Sequence, residues 1–203
     1  MKTPDRTSYS GEIVAVKARI RLIRSFDEIS HQYQGYTLVI NSGEDQIRVA
    51  VGPAAHEKNQ FRIGDVISGY GQAVADPKTE WADYYKVSGL KLLKRGLQDH
   101  AGPPNPEGGL APSLEEYRAQ GHRRLDPKSY SNSCAKCPWG LTMATQIILD
   151  HWNPSKQKWR LETHCYGPRD CPRYKAGAPR KVPGRKPGMI WVDNDVERGE
   201  EDW

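Results

Sequence analysis

The chain has 203 residues, of which 27% are charged, 36% are hydrophobic, 19 are Gly and 15 are Pro. This charge content is too low for a disordered polyelectrolyte, and the unbroken apolar runs are far too short to span a membrane. The first residues, Met1 to Arg6, lack the apolar core of a signal peptide. We therefore expect a cytoplasmic protein of one or two domains with no membrane partner.

The net charge of +5 is distributed unevenly along the chain. Residues 129–190 carry 11 Lys and Arg against 3 Asp and Glu, whereas residues 191–203 carry 1 against 6. A basic region of this size favours a polyanionic partner, although a solvated loop can have the same composition. The stretch 193–203 is predicted to be an acidic, mobile tail that covers the basic region when no ligand is bound.

Residues 8–97 are predicted to form a β domain. Between Val14 and Leu22, apolar residues alternate with Lys17, Arg19 and Arg21, which predicts a half-buried strand with a basic outer face. Turn residues and alternation predict four more strands, over 36–41, 46–51, 66–74 and 84–93. Five strands without a long helical period indicate a mainly β fold, either a small barrel or a sandwich.

Residues 98–128 are predicted to be a linker, because Gly and Pro crowd its first half. Within it, Ser113 and Glu116 have the spacing of a capping box, which predicts a short helix over Leu114–Gln120 ending at Gly121. A second unit is predicted over residues 129–192. It contains a hairpin with strands over 141–150 and 158–165, and a last short strand over 189–192.

All four cysteines lie in this second unit, and they form two short-spaced pairs on either side of the hairpin: Cys134 with Cys137, and Cys165 with Cys171. Such pairs can bring four thiolates onto one tetrahedral Zn²⁺. A hairpin of this size buries too little surface to fold alone, so the metal would be structural. An iron–sulfur cluster is the alternative cofactor, and disulfides or free thiols are the remaining interpretations. His164 could replace one ligand, or it could be an ordinary strand residue with a hydrogen-bonded ring.

Three segments carry a resemblance to a known fold: the opening of the first strand at 11–16, the entry to the fourth strand at 61–67, and the last strand at 87–93. Residues 11–95 resemble an OB-fold of the replication-protein-A or single-strand-binding kind, with a short segment, 54–60, in place of the longer helix often found there. Residues 133–171 look like a zinc ribbon. The resemblance implies a five-stranded OB-like barrel, with a binding face on strands two and three and on the loops after strands one and four.

Aromatic and basic residues at or next to these positions, together with the basic outer face of strand one, are candidates for stacking bases and holding phosphates. They are Lys17, Arg19, Arg21, Tyr33, Tyr36, Arg48, Lys78, Trp81 and Tyr85. A basic arm after the cysteines is predicted to stay extended and follow a nucleic-acid backbone, and it supplies Arg173, Lys175, Arg180, Lys181, Arg185 and Lys186. The alternatives are that the rings pack the ends of the barrel and that the arm is a solvated loop.

The sequence therefore predicts a non-enzymatic protein that binds single-stranded DNA or RNA through an OB-like domain and a zinc-ribbon-like unit. No nucleophile elbow, P-loop, dinucleotide fingerprint or paired-carboxylate frame points to an enzyme. The alternative is a protein-interaction subunit of a larger complex in which the metal is purely structural. In that case the four Trp between residues 139 and 191 would form the protein interface.

Overall fold

The computed structural model describes residues 5–25, 29–96, 111–150 and 152–178, together with the backbone of 180–181 and 190–191. Within this part of the chain the fold is mainly β. The strands are β1 (Arg6–Arg24), β2 (Ile29–Ser42), β3 (Asp45–Val51), β4 (Val66–Ala73), β5 (Tyr84–Lys94), β6 (Arg123–Arg124), β7 (Gly140–Ile148), β8 (Gln157–Cys165), β9 (Arg180–Lys181) and β10 (Ile190–Trp191). The helices are α1 (Pro53–Asn59) and α2 (Leu114–Gln120), and a helical turn, Pro127–Ser129, continues as a π-helical turn, Tyr130–Cys134.

The first five strands form a closed ring in the order β1-β2-β3-β5-β4, because both β2 and β4 pair with β1. The 19 residues of β1 make this possible: its first part, up to Glu12, pairs antiparallel with β4, and the rest pairs antiparallel with β2. The mainly β character predicted from alternation is confirmed. Strand β2 is longer than predicted, because residues 29–35, expected in a loop, continue the pairing with β1.

Gly35 is what allows β2 to continue along β1. It lies at a register shift in the pairing of the two strands and has a φ of +116°, a conformation that side chains rarely tolerate. A Cβ at this position would also meet the carbonyl oxygen of Val51. The kink at Gly35 therefore lets the two strands follow each other around the ring.

Apolar side chains from all five strands fill the interior of the ring, including Ile13, Leu38, Val49 and Ile67, together with Phe61. A buried carboxylate links two strands of the ring. The buried carboxylate of Asp65 accepts hydrogen bonds from the backbone nitrogens of Arg62 and Gly96, each at 2.9 Å, and forms an ion pair with Arg95 at 2.9 Å. The end of β5 is thereby attached to the start of β4.

The cysteine-containing hairpin belongs to the same sheet as the ring. Strand β7 pairs in parallel with residues 21–24 of β1, and β8 and β6 extend the sheet to eight strands. A second core lies across this junction, formed by residues of β1, α2 and β7 with one that follows β8: Ala18, Ile20, Leu22, Tyr117, Leu141, Met143 and Tyr166. The sheet and this core therefore run across the predicted boundary between the two units.

Helix α2 confirms the capping-box prediction. The backbone nitrogen of Glu116 donates to Oγ of Ser113, the Ser113 nitrogen donates to the Glu116 carboxylate, and Gly121 ends the helix at a φ of +67°. Tyr117 is fully buried, so this part of the predicted linker contributes to the second core. The first half of that linker, 98–110, lies outside the described residues. No helix in the described part of the chain is long and apolar enough to cross a membrane.

Candidate nucleic-acid interface and cysteine cluster

All four cysteines are free thiols. Cys134 and Cys165 share a small core, with Cys137 packed against it. Burial raises the pKa of the Cys134 thiol, and the negative charges that Cys137, Cys165 and Cys171 would carry raise it further. Among the described residues, however, no group of three or more Cys, His, Asp or Glu is arranged so that it could hold a metal ion.

Two cysteine arms flank the hairpin: the first surrounds Cys134 and Cys137, and the second follows Cys165. Each arm contains a tight turn. In the first arm, the nitrogen of Cys137 donates to the Cys134 carbonyl at 3.1 Å, and a Cβ on Gly140 would collide with that same carbonyl. In the second arm, the nitrogen of Gly167 donates to Sγ of Cys165 at 3.3 Å, and Nη2 of Arg123 lies 3.9 Å from that sulfur. Burial raises the pKa of the Cys165 thiol, and the contacts with Gly167 and Arg123 act in the opposite direction, towards the thiolate that binds a metal.

Lys17 lies against the first cysteine arm, which corrects the prediction that it contacts nucleic acid. It is 2% exposed, and its ammonium group donates to the carbonyl oxygen of Cys137 and, at 3.0 Å, to that of Gly140. The cause is the parallel pairing of β7 with β1, which places the arm over the outer face of β1 at this residue. Burial lowers the pKa of Lys17 to about 8, whereas ionised Cys137 and Cys134 would raise it.

The burial of Lys17 bears on the chemistry of the cysteines. A buried ammonium group is costly unless negative charge lies near it, and the two carbonyls that it contacts are neutral. Thiolates at Cys134 and Cys137 would supply that charge. In return, Lys17 and Arg123 would offset the two net negative charges of a Zn²⁺ ion bound by four thiolates. These cationic surroundings would suit a zinc–thiolate centre, although the described cysteines are not arranged as one.

Three of the predicted basic residues, Arg19 and Arg21 of β1 and Arg48 of β3, lie on one outer face of the ring, next to aromatic side chains. The guanidinium carbon of Arg48 lies 5.6 Å from the centre of the Trp81 ring, and that of Arg21 lies 5.0 Å from the Trp159 ring. Arg19 lies two residues before Arg21 and therefore on the same face of β1. We call these five residues the arginine–tryptophan face. Four of them were predicted from the sequence, whereas Trp159 was missed because it reaches Arg21 only through the pairing of β7 with β1.

Each arginine of this face already has a partner in the loop between β4 and β5, residues 74–83. Arg19 forms an ion pair with Glu80 at 2.7 Å, and Arg21 approaches the same carboxylate at 3.9 Å. Arg48 binds both carboxylate oxygens of Asp83, at 2.7 and 3.1 Å. These hydrogen bonds and the charge of Arg48 lower the pKa of Asp83, although its partial burial acts in the opposite direction.

Two predicted stacking residues, Tyr36 and Tyr33, lie elsewhere. Tyr36 is a correction: its ring is buried 3.9 Å from the ring of His56, its hydroxyl donates to the Pro112 carbonyl at 3.1 Å, and burial raises its pKa to about 12. Tyr33 lies in β2 rather than in a loop, opposite Ile20, so it faces away from the arginine–tryptophan face. The guanidinium of Arg118 lies 4.7 Å from the Tyr33 ring.

The remaining predicted residues are spread over the surface. Lys78 is exposed in the loop 74–83, and Tyr85 is half-buried on β5, with the ammonium group of Lys86 at 5.1 Å from its ring. In the basic arm, Arg173 and Lys175 are exposed. Strand β9 contains the backbone of Arg180 and Lys181, and it pairs with β10 within the predicted last strand. Arg185, Lys186 and the acidic tail lie outside the described residues.

His164 of β8 belongs to a row of three histidine rings with His122, which is also buried, and His31, which is half-buried. The ring of His122 lies 4.4 Å from that of His31 and 5.2 Å from that of His164, and Nε2 of His164 lies 3.9 Å from the Glu162 carboxylate. His164 therefore points away from the cysteines, since neighbouring residues of a strand face opposite sides. Comparisons of the chain with models of known protein families, with curated proteins and with solved structures find no significant match.

Proposed function

We propose that this protein binds single-stranded nucleic acid on the arginine–tryptophan face and that it acts as a binding protein rather than an enzyme. The observation that carries the proposal is the pairing of Arg48 with Trp81 and of Arg21 with Trp159 on one face of a closed ring of strands. Guanidinium groups hold phosphates, and indole rings stack on unpaired bases of any sequence. Both described helices have seven residues, so neither resembles a helix that reads duplex DNA.

The ring supports the finer interpretation as an OB-fold. Its strand order, β1-β2-β3-β5-β4, closes on β1 as the OB resemblance requires. In such a fold, strands two and three and the loop after strand four form the binding surface. Arg48 on β3 and Trp81 in the loop 74–83 have these positions.

We also propose that Cys134, Cys137, Cys165 and Cys171 bind a structural Zn²⁺, with an iron–sulfur cluster as the alternative. The proposal is supported by the N–H···S contact of Gly167 and by the two cations, Lys17 and Arg123, that neighbour the thiols. When bound, the metal would hold the two cysteine arms together. Metal analysis with a visible absorption spectrum of the purified protein separates the cases, because zinc–thiolate centres are colourless and iron–sulfur clusters absorb visible light.

Binding is tested by titrating the purified, metal-containing protein into labelled single-stranded DNA, single-stranded RNA and duplex DNA at several salt concentrations. We expect both single strands to bind more tightly than the duplex, with an affinity that falls steeply as salt rises. Trp159→Ala and Trp81→Ala should each lose about 1–3 kcal/mol of binding free energy. Trp152→Ala, an exposed tryptophan outside this face, is the matched control. Absent or salt-independent binding of the wild-type protein would refute the proposal.

A protein-interaction subunit is the second candidate, because the turn of the β7–β8 hairpin exposes large apolar side chains. Trp152 is 92% exposed and Leu149 is 47% exposed. Exposed aromatic residues of this kind often anchor protein interfaces. Weak oligonucleotide binding, together with a partner that co-purifies stably with the wild-type protein but not with Trp152→Ala, would favour this function.

A further inference from the structure

The loop 74–83 is attached to the arginine–tryptophan face by its acidic residues. Glu80 is buried against Arg19 and Arg21. The Asp83 carboxylate accepts two hydrogen bonds from the Arg48 side chain and one, at 2.8 Å, from its backbone nitrogen. The backbone nitrogen of Asp83 also donates to the Arg48 carbonyl at 2.8 Å. The same loop contributes Trp81, so it supplies both a stacking ring and the two acids that occupy the arginines.

We infer that the carboxylates of Glu80 and Asp83 mark two phosphate subsites of the bound strand, and that the strand binds by displacing them. This inference rests on the proposed function. A carboxylate and a phosphodiester present the same pair of acceptor oxygens to the fork of a guanidinium group. Asp83 already shows this two-oxygen contact on Arg48, whereas Arg19 and Arg21 converge on one oxygen of Glu80.

The charges show why displacement is required. Three arginines face two carboxylates, so the closed loop reduces the charge of the face from +3 to +1. A polyanion gains little from a surface whose charge is already largely neutralised, since its affinity depends on cations that can replace its counterions. The middle of the loop, residues 75–78, is exposed to solvent, whereas the two acids at its end contact the arginines. The loop therefore competes with nucleic acid for the same guanidinium groups.

Glu80→Gln and Asp83→Asn test the inference, because each removes one competing charge and keeps the shape of the side chain. Asp76→Asn is the matched control: it makes the same charge change in the same loop, but the hydrogen bond that Asp76 accepts comes from the backbone of Lys78 and not from an arginine of the face. The measurement is the Kd of a labelled 15-nucleotide single strand at low salt. We expect Glu80→Gln and Asp83→Asn to tighten binding by about fivefold or more, and Asp76→Asn by less than about twofold.

The outcomes separate the inference from the proposed function. If the wild-type protein binds single strands but neither Glu80→Gln nor Asp83→Asn binds more tightly than Asp76→Asn does, the inference is overturned and the proposed function stands. If neither the wild-type protein nor any of these variants binds, the proposed function itself fails, and the inference with it. Thermal unfolding of each variant comes first. If Glu80→Gln does not fold, the comparison of Asp83→Asn with Asp76→Asn decides.

Discussion

At the scale of single residues, buried polar groups connect parts of this molecule that lie far apart in sequence. Asp65 attaches the end of β5 to the start of β4, and Lys17 attaches the ring to the first cysteine arm, 120 residues away. Such groups stabilise a fold only while all their partners are present, since a buried donor or acceptor without a partner costs more than the bond contributes. Their loss should therefore be felt well beyond the residue that is changed.

Lys17→Met keeps most of the side-chain volume but removes the ammonium group. We expect it to lower the free energy of unfolding by about 2–3 kcal/mol, because the carbonyls of Cys137 and Gly140 lose a buried donor. Urea unfolding followed by circular dichroism measures this. Lys136→Met, at an exposed lysine in the same arm, is the control. It should change the free energy of unfolding by less than about 0.5 kcal/mol. Equal effects of the two variants would contradict the role given to Lys17.

His56 should make stability depend on pH. Its ring is buried beside Tyr36 and Phe61, and burial lowers its pKa from 6.5 to about 4. Because the unfolded chain then binds the proton more readily, this stabilisation is complete above about pH 6.5 and is lost as the pH falls towards 4. His56→Phe cannot titrate at this position. Between pH 7 and pH 4.5 we expect its free energy of unfolding to fall by about 2–3 kcal/mol less than that of the wild-type protein.

The test measures the free energies of unfolding of the wild-type protein and of His56→Phe and takes their difference at each pH. All other ionisable groups are the same in the two proteins, so their contributions cancel in this difference. Unfolding free energies that run parallel for the wild-type protein and His56→Phe over this range would show that His56 is not the group responsible.

At the scale of elements, helix α2 begins at a capping box that is visible in the sequence, and it contacts the first cysteine arm. Its capping box fixes where it begins, and the hydroxyl of Tyr117 donates to the Pro138 carbonyl at 2.6 Å. We expect Ser113→Ala to lower the free energy of unfolding by about 1 kcal/mol, since the nitrogen of Glu116 loses its acceptor. Ser113→Asp keeps a capping oxygen and should retain the stability in the same urea experiment. A loss of equal size in Ser113→Asp would rule out capping as the cause.

Elements with a local signature were predictable from the sequence. The capping box predicted α2 with its observed bounds, and alternation with turn residues located the ring strands and the hairpin to within a few residues, apart from the ends of β1 and β2. Alternation, however, does not say what covers a strand face. The parallel pairing of β7 with β1 has no local signal, yet it buries Lys17 and brings Trp159 to Arg21. The errors at Lys17, Trp159 and Tyr33 follow from this long-range contact and from the unexpected length of β2, whereas Tyr36 is buried by His56 and Pro112.

At the scale of the whole molecule, β1 joins the ring to the hairpin. It pairs with β2, β4 and β7, and its residues contribute to both large cores. Ala18, Ile20 and Leu22 would lose most of their covering if the hairpin and α2 were loosened. Because these residues follow directly after those that line the ring, loss of structure at the cysteines should also destabilise the ring.

We therefore expect removal of the proposed metal to weaken the ring as well as the hairpin. Hydrogen exchange measured on β3, a ring strand without cysteine, and on β8, which contains Cys165, reports on each part. After chelation under reducing conditions, the slowest amides of both strands should exchange at least about tenfold faster, because each 1.4 kcal/mol of global stability lost gives this factor. Adding Zn²⁺ back should restore protection, and Mg²⁺, the control, should not. Faster exchange confined to β8 would show instead that the ring is stable without the hairpin.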